Sequence, residues 1–249
     1  MAISRIYTDT ILSTPGLVGY WKLDETSGSI AWSANGAVNG NRYGVISGGT
    51  PIWPEWNHDG TGEGYSVGFD GVNDYVDFGN TFGFINKDSF TLEAWVWPAN
   101  GGPTGFPTFL SKMRYGTGYG GYEIYLDKAN QRFVWARRGG NVTNFCYSAQ
   151  WGIAYQTWYH VVARYDGSVN EMTMFVDGVW HSTTVSSSNM AANDWNFRFG
   201  CYSGGTDWYQ GHLDEVAVYN WALSDAHIVR HYQRGTRNRF DVGSYAFIL

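Results

Sequence analysis

Strict two-residue alternation, cut short again and again by glycine turns, constrains this chain more than any other feature. Phe90-Thr91-Leu92-Glu93-Ala94-Trp95-Val96-Trp97 sets Phe90, Leu92, Ala94 and Val96 on one face and stops at Pro98. A strand with one buried face reads this way, because successive side chains point to opposite sides of a sheet. Tyr159–Tyr165 runs into Asp166-Gly167, and Met172–Val176 runs into Asp177-Gly178. Asp-Gly supplies the positive φ that tight hairpin turns need, so this stretch predicts a hairpin followed by a second tight turn. Further strands are expected at 65–70, 74–78, 108–112, 121–127, 132–137, 143–148, 180–185, 197–202 and 211–219. A single helix suggests itself near the end, with Ser224 as its cap, Ile228, Val229 and Tyr232 on one side, and Gly235 closing it. Many short strands without alternating helices predict an all-β fold, a two-sheet antiparallel sandwich of the jelly-roll kind. No repeat or linker divides the chain, so one domain is expected over 17–235, between an N-terminal arm (1–16) and a C-terminal tail (236–249).

Composition narrows the function classes. The 249 residues include 13 Trp, 18 Tyr, 14 Phe and 33 Gly, while charged residues make up 15%. So much apolar surface excludes a disordered chain. The net charge of −6 argues against nucleic acid as partner, since a phosphate backbone calls for a concentrated basic face. The late basic residues Arg230, Arg234, Arg237 and Arg239 read as a protein contact or solvated surface. No run approaches the roughly 20 apolar residues of a membrane span, and the first residues lack the apolar stretch of a secretory signal. Two cysteines are too few for a disulfide framework, and Cys146 and Cys201 are expected to be buried free thiols.

Five stretches, in order along the chain, carry a resemblance: Gly16–Glu25, Val67–Val76, Ser89–Val96, Trp158–Gly167 and Gly211–Asn220. Together they resemble the laminin-G-like jelly roll of the concanavalin A-like lectin/glucanase superfamily. The resemblance implies two curved antiparallel sheets packed face to face, first and last strands adjacent, and Trp21 and Trp95 in the core. It implies no ligand by itself, because this fold hosts lectins, sugar-binding modules, glycosidases and virion proteins. The opening, which ends in Pro15-Gly16-Leu17-Val18-Gly19-Tyr20-Trp21, is also similar to that of laminin-G-like proteins carried by tailed bacteriophages. That likeness implies a virion protein (alternatively an extracellular one), a homo-oligomer whose terminal segments touch other virion proteins, and contact with host surface glycans.

The residues that could carry chemistry point the same way. Related glucanases place Glu-x-Asp-x-x-Glu on one strand, and the nearest local candidate here is Glu123-Ile124-Tyr125-Leu126-Asp127. It lacks the middle acid, and at strand rise the Cα atoms of Glu123 and Asp127 stand about 13 Å apart. Retaining hydrolysis needs carboxyl groups about 5 Å apart, so no enzyme is expected. The adjacent acids Asp214 and Glu215 should point to opposite faces. By resemblance, a structural calcium would draw on Asp24, Glu25, Asp214 and Glu215, since calcium takes six to eight oxygens. Sugar binding needs exposed aromatic faces beside hydrogen-bonding groups. The candidates are Trp53 and Trp56 in one loop, Tyr115 and Tyr119 in a glycine-rich second, and Trp208 and Tyr209 in a third, with Arg137 and Arg138 as donors.

Overall fold

The computed structural model describes residues 5–25, 27–43, 65–116, 118–186 and 189–236, with residues 5 and 6 as backbone alone. The elements run in chain order from helix α1 (Arg5–Leu12) through β1 (Leu17–Trp21), β2 (Ile30–Ala31), β3 (Gly40–Tyr43), β4 (Val67–Asp70), β5 (Tyr75–Asp77), β6 (Phe90–Pro98) and β7 (Thr108–Met113). They continue with β8 (Gly121–Asp127), β9 (Arg132–Gly139), β10 (Val142–Tyr147), β11 (Tyr159–Asp166), β12 (Glu171–Val176) and β13 (Val179–Val185). The last are β14 (Arg198–Phe199), β15 (Gln210–Tyr219) and helix α2 (Asp225–Thr236).

These strands build two antiparallel sheets. A seven-stranded sheet has the order β1-β15-β6-β11-β12-β13, with β4 also on β15, and an eight-stranded sheet has the order β10-β9-β8-β7-β14-β5-β3-β2. The first and last strands are neighbours, Tyr20 opposite Ala217 and Trp21 opposite Val216, as the resemblance implies. Phe90, Leu92, Ala94 and Val96 all face the inter-sheet core, where Trp21, Tyr122, Ile124, Phe133, Trp135 and Phe199 meet them. At the predicted tight turn, Asp177 (φ 53°) and Gly178 (φ 72°) both take the left-handed conformation, and Val176 pairs with Val179 across it. Gly167 is required for another reason: a Cβ there would sit 1.6 Å from the Lys87 carbonyl oxygen. On one side the two sheets are stitched edge to edge. Tyr147 N donates to Ser182 Oγ (2.9 Å), Ser182 Oγ to the Tyr147 carbonyl (2.7 Å), and Thr184 Oγ1 to the Phe145 carbonyl (2.8 Å).

Two expectations change. Residues 5–12 form α1, where no helix was expected, and its Tyr7 and Ile11 share a second core with Tyr20, Trp95, Phe175, Tyr219, Leu223 and Ile228. That core lies on the far side of the seven-stranded sheet, so Trp95 is a core residue beneath α1 and α2. Asp214 and Glu215 do not follow simple alternation, because the β15–β6 register shifts after Asp214 and Glu215 has φ 51°. The C-terminal helix does start as read, with His227 N donating to Ser224 Oγ (3.3 Å). Cys146 and Cys201 are both free and buried. No helix among the described residues is long and apolar enough to cross a membrane.

Candidate binding face on the eight-stranded sheet

The outer face of the eight-stranded sheet follows from its register. On β8, Tyr122, Ile124 and Leu126 enter the core, which turns Glu123, Tyr125 and Asp127 outward. Cross-strand pairing then sets Asn41, Asp77, Arg198, Ser111, Glu123, Ala136 and Phe145 in one row over seven strands. A parallel row holds Tyr125, Val134 and Tyr147, and another holds Gly121, Arg138 and Thr143. Residues far apart in sequence therefore share one surface.

Aromatic rings and guanidinium groups line it. Tyr43 and Tyr75 stack with centroids 4.7 Å apart and planes 11° apart, and Trp208 lies 5.9 Å from Tyr75. The Arg198 guanidinium lies 4.8 Å from the Tyr75 ring while Nε donates to Asp77 Oδ2 (2.8 Å). Arg132 repeats this arrangement, 4.1 Å over Tyr147 with Nε donating to Asp127 Oδ2 (3.1 Å). Such cation–π contacts hold flat rings in place and leave an edge or face for a ligand. At the centre, Tyr115 is 46% exposed, whereas Glu123 beneath it is 4% exposed. The Tyr115 hydroxyl donates to Glu123 Oε1 (2.6 Å) and its amide donates to the Tyr202 hydroxyl (3.2 Å). Arg138 lies 5.4 Å from the Tyr115 ring, with Nη1 donating to Thr143 Oγ1 (2.9 Å) and Nη2 to the Gly116 carbonyl (3.3 Å). Burial pushes the Glu123 carboxyl up to about 7; the Tyr115 hydroxyl opposes this and the Asp207 charge adds to it.

The residues proposed from sequence divide unevenly. Trp53 and Trp56 lie outside the described residues. Tyr115 and Trp208 are on this face, and Tyr119 is close by, its ring 3.5 Å beneath the Arg114 guanidinium. Tyr209 is not a binding platform: it is 1% exposed and packs in the core against Phe69 (6.1 Å) and Phe109 (5.8 Å). Arg137 points inward as well, 3.9 Å over the Tyr165 ring and donating to Ser186 Oγ (2.8 Å), so of the two arginines Arg138 alone serves this face. Sequence reading missed Tyr43, Tyr75, Tyr125 and Tyr147. Their outward direction was available from alternation, but their common surface depends on register.

The four acids assigned to calcium are engaged separately. Asp24 pairs with Lys22, and Glu25 Oε1 accepts from Trp32 N (2.7 Å). Asp214 Oδ1 accepts from Glu215 N (2.9 Å), while Glu215 accepts the Tyr20 hydroxyl. Asp24 Oδ1 and Glu25 Oε2 are buried without a hydrogen-bond partner among the described residues. Among the described residues no group of three or more His, Cys, Asp or Glu could hold a metal ion.

Comparison with known proteins bears on this geometry. A laminin-G family model described as the concanavalin A-like lectin/glucanases superfamily matches residues 70–229. No curated protein matches. Among solved structures, the chain is similar to the binding domain of Paraclostridial Mosquitocidal Protein 1 (TM-score 0.68, 13% identity, 88% of this chain and 52% of that one). It is also similar to Domain 4 of AbnA, a GH43 extracellular arabinanase from Geobacillus stearothermophilus, in complex with arabinotriose (TM-score 0.63, 15% identity, 87% and 98%). A third is the binding domain of botulinum neurotoxin serotype G (TM-score 0.64, 10% identity, 87% and 50%). The chain thus spans about half the length of the two toxin binding domains. At these identities the likeness is one of fold.

Proposed function

The chain belongs to the concanavalin A-like lectin/glucanases superfamily, and from that premise we propose that it is a non-enzymatic binding protein whose eight-stranded sheet takes glycans on its outer face. The observation that carries this reading is the Tyr115–Glu123–Arg138 group set among outward-facing tyrosines. Pyranose rings bind where aromatic faces meet a few fixed donors and acceptors, and this face supplies both. The similar toxin domains are named for binding, and the similar arabinanase domain was solved with arabinotriose. A hydrolytic reading has less support here, because Asp127 is bound to Arg132 and Asn130 while Glu123 is bound to Tyr115.

We place this activity on a phage particle, as an attachment or decoration protein of head or tail. The amino-terminal resemblance supports this, and so does the position of α1 and α2 on the opposite sheet, where a contact at the terminal helices leaves the glycan face open. The second reading, a free-standing bacterial carbohydrate-binding module or lectin, is favoured by the arabinanase domain, which the match covers almost whole. A glycan array with purified protein tests the activity. Binding should be lost in Tyr115→Ala and Trp208→Ala at unchanged melting temperature, and binding retained in both variants would move the site elsewhere. Co-purification with phage heads or tails separates the two settings.

A further inference from the structure

The charges of this face are unevenly matched, and the mismatch bears on what the face selects. Three of its arginines are each neutralised by a carboxylate: Arg114 by Asp194, Arg132 by Asp127 and Arg198 by Asp77. Arg138 forms no ion pair among the described residues, and its guanidinium lies 5.4 Å from the ring of Tyr115, whose hydroxyl donates to Glu123. Glu123 accepts a single hydrogen bond among the described residues, from a tyrosine hydroxyl that a ligand hydroxyl can replace atom for atom.

Resting on the glycan reading above, we propose that Glu123 is the residue that selects the sugar, with Tyr115 as its cap and neutral hydroxyl-rich glycans as its ligands. A sugar hydroxyl takes the place of the Tyr115 hydroxyl on the buried carboxyl, and the freed ring turns its face to the pyranose. Asp207, Tyr125 and Tyr202 interact electrostatically with Glu123 and Arg138 lies beside the Tyr115 ring, so three phenols and one further acid surround the group, with a cation near its cap. A glycan carboxylate brought here meets Arg138 but also the buried Glu123 and the exposed Asp207, and like charges beside a ligand lower its affinity. A neutral sugar meets no such penalty. Burial raises Glu123 to about 7, so its protonated form also donates to sugar hydroxyls, and the rejection of acidic sugars grows as pH rises through that value.

The test uses the full chain and matched sugar pairs: lactose against 3′-sialyllactose, and methyl-esterified trigalacturonate against trigalacturonate, by calorimetry at neutral pH and low salt. The neutral member of a bound pair should bind about tenfold tighter or more. Tyr115→Phe keeps the ring but deletes the competing hydroxyl, so it should tighten neutral-sugar binding severalfold. Glu123→Gln should narrow the gap between the two members, since it removes the charge and keeps the shape. Equal or tighter binding of the acidic member, or weaker binding in Tyr115→Phe, overturns the proposal and leaves the glycan reading in place. Binding of none of the four sugars, with the array also blank, overturns the glycan reading and this proposal with it.

Discussion

Glu93 and Glu123 occupy comparable positions, each facing outward from a strand inside its sheet, and each is withdrawn from water. On the seven-stranded sheet, Glu93 Oε1 accepts the Tyr219 hydroxyl (2.6 Å), and Oε2 lies 2.9 Å from His231 Nδ1 and 3.5 Å from His160 Nε2. His231 Nε2 in turn meets Thr14 Oγ1 (2.9 Å), so the cluster ties α2 and the residues after α1 to the sheet. Burial alone would raise this carboxyl, yet His231 and His160 outweigh it and hold Glu93 well below the usual carboxylate range. On the eight-stranded sheet, Glu123 accepts one hydrogen bond among the described residues, from Tyr115, and burial wins. The same side chain in the same degree of burial is thus ionised where helices bring it partners and half protonated where a loop brings one. The first arrangement serves stability. The second leaves hydrogen-bonding capacity unused, as a ligand site requires.

The largest expected difference follows from removing each acid. Glu93→Ala leaves two buried imidazoles and a buried tyrosine hydroxyl without their common partner, and breaking such a cluster costs about 3–5 kcal/mol. Glu123→Gln keeps the shape and a hydrogen bond to Tyr115, so its cost should stay below about 1 kcal/mol. Urea unfolding of the two variants measures both. Equal losses would mean that the two faces do the same structural work, and the comparison would fail.

A second difference is in the sign of the pH response. Glu123 has its folded value raised from 4.5 to about 7, so the native state holds the proton more tightly. Its contribution to stability is complete below the unfolded value and is lost as pH rises through about 7, in total roughly 3 kcal/mol. Glu93 behaves oppositely: its folded value is depressed, so its contribution is complete above the unfolded value of 4.5 and is lost as pH falls below it. Melting temperature recorded against pH should therefore decline for the wild type between pH 4.5 and 7 relative to Glu123→Gln. Parallel curves for the two proteins would show that Glu123 is ionised throughout and that its burial is better compensated than one tyrosine allows.

The two faces also differed in how far the sequence revealed them. Alternation reads Phe90, Leu92, Ala94 and Val96 correctly as core, because a period of two depends on neighbours alone. The same pattern marks Thr91, Glu93 and Trp95 as the outer side without indicating that helices bury them. Helix α1 carried a signal in Tyr7 and Ile11, four residues apart, but eight residues are too few for a helix to hold without the sheet beneath it. On the outer face of the eight-stranded sheet, Trp208 and Tyr209 are adjacent in sequence, and the packing of Tyr209 against Phe69 and Phe109 decides which of the two is buried. Tyr43 and Tyr75 stack across β3 and β5, a pairing that register fixes and that single-strand patterns do not contain.

The smallest expected effect concerns the edge of the sandwich, where family resemblance suggested calcium. Glu215 accepts from Tyr20, which packs in the helix-covered core, and Asp24 pairs with Lys22, so an ion would compete with these contacts for part of its shell. Asp24 Oδ1 and Glu25 Oε2 are buried oxygens with no hydrogen-bond partner among the described residues, few against the six to eight that calcium takes. A site filled at a hundredfold excess over Kd would add about 2.7 kcal/mol. For a chain of this size each kcal/mol moves Tm by about 2–4 °C, so occupancy would be plain in a melting curve. We expect calcium and chelator to shift Tm by less than about 1 °C. A rise of several degrees would show that Asp24 and Glu25 recruit backbone oxygens around an ion, and this edge would then be a binding region alongside the Glu123 face.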